Sequence, residues 1–176
     1  MRAILAGLAA LWLWLPAAPE ALAQPVPEYE LKAAYLYNFA LLTEWPGAAS
    51  ADAPFSICVI GRNPFPDGLA SLQGRSMHGR KVAVRAVALS AAARGCQVLF
   101  IAAAGAAPVE DIVEALGEAS VLTVADAGAE GARAAAIGLL AREQRVVFSV
   151  NLAAVRRAKL HVSPRLLRLA WRVQEE

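Results

Sequence analysis

Apolar positions along this chain recur with two different periods, and the switching between them predicts an α/β domain. From Tyr29 to Thr43, YELKAAYLYNFALLT sets Leu31, Tyr35, Asn38 or Phe39, and Leu42 at helical spacing. Glu28 and Glu30 stand near the N-terminus of that helix, where its dipole favours acidic groups. Trp45-Pro46 ends it, because the residue before a proline avoids helical dihedrals. FSICVIG, Phe55 to Gly61, is a continuous apolar run bounded by Pro54 and by the turn residues up to Pro66; it predicts a strand buried on both faces. A short helix around Gly68 to Leu72 follows. Lys81 to Leu89 alternates at Val82, Val84 and Ala86 and predicts a second strand, and Gln97 to Ala103 predicts a third.

Pro108 stands at a helix N1 position with Glu110 and Asp111 in the first turn, so a helix is expected to run to Ala119. Val121 to Asp126 is a fourth strand. Ala135 to Leu140 and Val146 to Val150 read as a closing hairpin around Arg142 to Gln144. Asn151 is placed to cap a short helix through Lys159, and Ser163 with Pro164 opens a last helix whose apolar stripe is Leu166, Leu167, Ala170 and Val173. Strands alternating with helices imply a single α/β domain: a mostly parallel sheet with an antiparallel edge hairpin, flanked by helices.

The first 23 residues stand apart from this pattern. Arg2 gives a positive start, Ile4 to Leu15 is an apolar run, Pro16 and Pro19 break it, and Ala21-Leu22-Ala23 is a small-residue cleavage site. The run is too short to cross a bilayer as a helix, and no apolar run of spanning length occurs downstream. A cleaved signal peptide (residues 1–23) and an exported domain over residues 24–176 are therefore expected, without direct membrane insertion. In an oxidising compartment the two cysteines, Cys58 and Cys96, are expected to form a disulfide; two buried thiols on apolar strands are the alternative.

Composition removes several function classes. The formal net charge of +2 points neither to nucleic acid nor to a membrane surface. Arg156, Arg157, Lys159, Arg165, Arg168 and Arg172 nevertheless crowd the C-terminal end, and Arg165, Arg168 and Arg172 at i, i+3 and i+7 would form one face of the last helix. The chain has no G-x-S-x-G elbow, no phosphate-loop lysine motif and no H-E-x-x-H, so no catalytic residue, cofactor or metal ligand is assigned. Asp126 ends its strand where open α/β sheets place ligand contacts, although a turn-capping aspartate reads the same way. Tyr29, Tyr35, Tyr37, Phe39 and Trp45 crowd the first helix and its exit. Tyr35 and Tyr37 point about 200° apart around a helix, so one face should meet another helix, a ligand or a partner, the alternative being a central helix buried on both sides.

An ordered set of segments then resembles one family. YELKAAYLYNF with EWP, ICVIG, Gly79-Arg80, CQVLFIA, VLTVAD, VFSVN and SPRLLRLA together are similar to the YfiR family of small exported proteins, from about Tyr29 to Val173. The resemblance implies a periplasmic, non-enzymatic regulator. It would bind the periplasmic sensory domain of a membrane diguanylate cyclase and so restrain cyclic-di-GMP synthesis and biofilm formation. Cys58 and Cys96 match the family's first cysteine pair, and Arg165 and Arg168 match its C-terminal motif. The chain departs from the family pattern between Ala127 and Ala136, where relatives carry Phe and a Gly-Gly pair, and some a second cysteine pair. Candidate partner or ligand contacts are Tyr35, Tyr37, Trp45, His161, Arg165 and Arg168. A second copy of the chain and a small ligand are further candidate partners, and a free-standing periplasmic small-molecule-binding module is the competing reading.

Overall fold

The computed structural model describes residues 27–47, 52–65, 68–88, 90–126, 131–143 and 145–175. The expected signal peptide, part of the loop after Asp126, and Gln144 of the hairpin turn lie outside these residues. Along the chain the elements are α1 (Glu28–Leu41), β1 (Thr43–Glu44), β2 (Phe55–Ile60), β3 (Ser76–Met77), β4 (Arg80–Val87), α2 (Ser90–Ala93) and β5 (Val98–Ile101). They continue with α3 (Val109–Leu116), β6 (Leu122–Ala125), β7 (Ile137–Arg142), β8 (Arg145–Asn151), α4 (Leu152–Arg157), β9 (His161–Val162), α5 (Pro164–Leu169) and β10 (Arg172–Gln174).

One sheet carries the fold, with strand order β10-β8-β7-β6-β5-β2-β4-β3. The pairs from β4 through β2, β5 and β6 to β7 are parallel, whereas β7–β8 and β3–β4 are antiparallel. This is the mostly parallel sheet with an antiparallel hairpin that the strand pattern predicts, except that the hairpin is not the edge, because β10 pairs outside β8. β2, β5 and β6 are buried at every position, which is why their sequences are unbroken apolar runs without alternation.

Each face of the sheet has its own core. On one, α1 lays Leu36, Phe39 and Ala40 over Ile57, Phe100, Val124, Ile137 and Phe148. On the other, α3 lays Ile112, Val113 and Leu116 over Leu99, Ile101 and Ala125, with Cys58 and Cys96 in the same cluster. A two-stranded sheet, β1 with β9, fastens the exit of α1 to the C-terminal segment, and the Ser163 amide donates to Leu42 O at 2.9 Å.

Two local expectations are corrected. Pro108 is the N-cap of α3, with φ −49° and ψ 140°, and Val109 is its first helical residue. Proline has no N–H to leave unsatisfied, so either position suits it. The last helix does not continue to Val173: it ends at Leu169, Ala170 turns extended, and Arg172–Gln174 joins β8 as a parallel strand. Six helical residues gain little alone, whereas the Trp171 amide reaches Phe148 O at 2.9 Å and opens a ladder. The i, i+3, i+7 face of three arginines is therefore divided, Arg165 and Arg168 on α5 and Arg172 on β10.

Candidate functional site

The carboxyl ends of β5 and β6 meet the first turns of α1, and a buried ion pair sits at the junction. Lys32 stands on the same stripe of α1 as Leu36 and Phe39 and is only 3% exposed. Asp126 is the first residue past β6, held in place by its amide, which donates to Ile101 O at 2.9 Å. Lys32 Nζ donates to Asp126 Oδ1 at 2.7 Å and contacts Glu28 Oε1, one helical turn back, at 2.5 Å. The ammonium also lies 4.5 Å from the centroid of the Tyr29 ring.

The electrostatics follow from this enclosure. Burial alone would pull the Lys32 ammonium down, but the hydrogen bonds it donates to Asp126 and Glu28 outweigh it and hold its pKa above the ordinary lysine value. Burial first, and then the charge of Asp126, push the Tyr29 phenol up. The second carboxylate oxygen of Asp126, Oδ2, is buried and has no hydrogen-bond partner among the described residues. A cavity of about 610 Å³ opens onto this pair. Its lining includes Trp171, with the Arg142 guanidinium 4.5 Å and the Arg172 guanidinium 5.2 Å from the ring centroid.

The sequence-predicted contact residues fall in other places. The Tyr35 hydroxyl donates to Val146 O at 3.2 Å and its ring packs on Phe39 and Phe148. The Tyr37 hydroxyl donates to Ser76 O at 3.3 Å, with the Arg75 guanidinium 4.5 Å from its ring centroid. The opposed directions of these two tyrosines thus serve α1's contacts with the β7–β8 side and with the β3 side. Trp45 packs edge-on against Phe55 at 5.2 Å and neighbours His78 at 5.9 Å; its Nε1 is buried and has no partner among the described residues.

His161 is exposed on β9, directly opposite Glu44 of β1, so Trp45 and His161 are brought close by the small sheet. Arg165 and Arg168 are exposed on α5. Beyond them the chain leaves three large apolar side chains in solvent, Leu169 (63% exposed), Trp171 (48%) and Val173 (39%). Arg142 and Arg172 stand beside Trp171, and Arg165 and Arg168 lie on the helix that leads into this exposed stretch.

Cys58 and Cys96 form a disulfide with Cα atoms 6.0 Å apart, as the export reading predicts. Cys58 lies within β2, while Cys96 lies just before β5 rather than in it. Arg85 on β4 directs its guanidinium toward both sulfurs, at 4.0 and 3.9 Å. Among the described residues no cluster of three or more His, Cys, Asp or Glu side chains could hold a metal ion. No described helix is long and apolar enough to cross a membrane.

Sequence reading weighed Asp126 but missed Lys32. Glu28 and Lys32 at i, i+4 resemble an ordinary solvated pair, and the signal that separates them is a lysine inside the Lys32–Leu36–Phe39 stripe.

Residues 29–171 match the family described as YfiR/HmsC-like. A solved structure of a conserved domain protein from Vibrio cholerae O1 biovar El Tor is similar at 15% sequence identity and a TM-score of 0.49, covering 68% of this chain. This chain spans 55% of the length of that protein.

Proposed function

The chain belongs to the YfiR/HmsC-like family, and from that membership we propose that it is an exported periplasmic regulator of cyclic-di-GMP signalling. It acts by binding, not by turnover: it engages the periplasmic sensory domain of an inner-membrane diguanylate cyclase and restrains synthesis of the messenger. The observation that carries this reading is the family match over residues 29–171, which takes in α1, the whole sheet core and α5. The disulfide supports export, since such bonds persist in oxidising compartments.

The surface at the C-terminal end supports a protein partner. Leu169, Trp171 and Val173 are exposed beside the arginines of α5 and β10, and aromatic residues together with arginine are enriched where protein interfaces derive most of their energy. Arg165 and Arg168 supply a charged rim, which governs association rate and salt sensitivity more than final affinity.

The test is binding of the mature chain to the isolated sensory domain of a membrane diguanylate cyclase from the same bacterium. Wild type is expected to bind, and the Arg165→Glu/Arg168→Glu variant to associate at least tenfold more slowly at low salt while melting at the wild-type temperature. Equal rates in the folded variant would remove these arginines from the contact. Failure of wild type to bind any such domain would refute the proposed function.

A further inference from the structure

The cavity at the carboxyl ends of β5 and β6 has an acceptor that internal packing satisfies only in part, the Tyr29 phenol being the donor that stands beside Asp126 together with Lys32. Asp126 is 8% exposed, its Oδ1 is taken by Lys32, and its Oδ2 is buried with no partner among the described residues. A buried carboxylate oxygen without a donor costs folding free energy, so it marks a place where a donor from outside the chain is favoured. The Lys32 charge is already matched by Asp126 and Glu28. Arg142 and Arg172, both close to the Trp171 ring in the lining of the same cavity, have no carboxylate within ion-pairing distance among the described residues. The cavity therefore offers both a buried acceptor and unmatched positive charge in its lining. Its volume of about 610 Å³ lies within the range of small-molecule sites, and its place outside the carboxyl ends of parallel strands is where open α/β sheets take ligands.

We infer that this cavity binds a small organic anion that also carries a hydrogen-bond donor, a hydroxycarboxylate or an aminocarboxylate. The donor, a hydroxyl or ammonium, bonds Asp126 Oδ2, and the carboxylate lies toward Arg142 and Arg172. Tyr29 and Trp171 supply the apolar walls. This site shares Trp171, Arg142 and Arg172 with the exposed strip but not Leu169, Arg165 or Arg168, and binding of the anion to the mature chain alone stands or falls independently of cyclase binding.

The experiment is calorimetric titration of the mature chain, alone, with donor-bearing anions and their donor-free analogues: lactate against propionate, malate against succinate, serine against propionate. At least one donor-bearing anion is expected to saturate a single site, with its analogue at least tenfold weaker, the ratio an unpaired buried acceptor produces. Arg142→Gln/Arg172→Gln should weaken that anion by at least tenfold, because both guanidinium groups are solvent-accessible and their loss leaves the core intact. Asp126→Asn keeps an oxygen for Lys32 but replaces the free acceptor by a donor, so the preference over the analogue should fall to near unity. If that variant melts early, the analogue ratio and the arginine variant still decide. Absence of binding at millimolar concentrations, equal binding of each pair, or full binding by the folded arginine variant would each overturn the inference.

Discussion

At the scale of single residues, Lys32 and Asp126 decide how α1 meets the sheet. A lysine in an apolar helix stripe is tolerated because its ammonium is neutralised at 2.5 Å by Glu28 and at 2.7 Å by Asp126. Breaking such a pair strands a buried charge, whereas replacing both partners by apolar groups removes the problem. Lys32→Met is therefore expected to cost about 3 kcal/mol in urea unfolding, and Lys32→Met/Asp126→Leu to recover most of it. A double variant no more stable than Lys32→Met would contradict that account.

The same site has a pH signature. Lys32 and Tyr29 both have folded pKa values raised above their ordinary ones. Such groups lend stability that is complete below their unfolded pKa values and is lost as pH rises through the folded ones, so the loss begins above about pH 10. Thermal melts across that range should fall more steeply for wild type than for Lys32→Met/Tyr29→Phe; parallel curves would show that the pair is not what titrates.

At the scale of elements, the sequence made the buried strands easy to read and the edges hard. FSICVI, VLFI and LTVA are apolar throughout because both faces of the sheet are covered, and the Ser163-Pro164 start of α5 is caught by its cap, Ser163 Oγ accepting from the Leu166 amide at 3.2 Å. The pairings β1–β9 and β10–β8 were not legible. Two- and three-residue strands carry no period, and their partners lie far away in sequence. Val173 fitted a helical stripe as well as it fits an edge strand.

Two element-scale contacts are open to direct measurement. The disulfide ties β2 to the entry of β5 across a sequence separation of 38. Cys58→Ala/Cys96→Ala is expected to cost about 2–4 kcal/mol by denaturant titration, and a loss well under 1 kcal/mol would mean that the bond constrains little of the unfolded chain. Gly138 on β7 lies under the turn Gly131–Arg133, where an added Cβ would stand 2.5 Å from Ala132 Cβ and 2.9 Å from Ala132 O. Gly138→Ala should thus destabilise by about 1–3 kcal/mol through overpacking. An unchanged unfolding midpoint would show that the turn moves aside freely.

At the scale of the whole molecule, family membership was legible as an ordered set of segments, and most of those segments turn out to be the buried strands, the first helix and the α5 start. Such blocks encode packing, so they identify the family more securely than they identify contact residues. Tyr35 and Tyr37 illustrate the limit: their hydroxyls bond backbone carbonyls within the chain. The exposed Leu169–Trp171–Val173 strip escaped sequence reading because its exposure depends on where α5 stops and β10 begins. Under the proposed function, the molecule's effect on the cell passes through what it binds.

The most direct measurement of that claim is the cyclic-di-GMP content of the source bacterium with the protein deleted, restored, and restored without residues 1–23. The account predicts a rise on deletion, a return to the starting level with the full chain, and no return with the chain lacking its leader, since the restraint is exerted on a periplasmic domain. Equal cyclic-di-GMP in the deleted and restored cells, with the restored protein folded and exported, would contradict it.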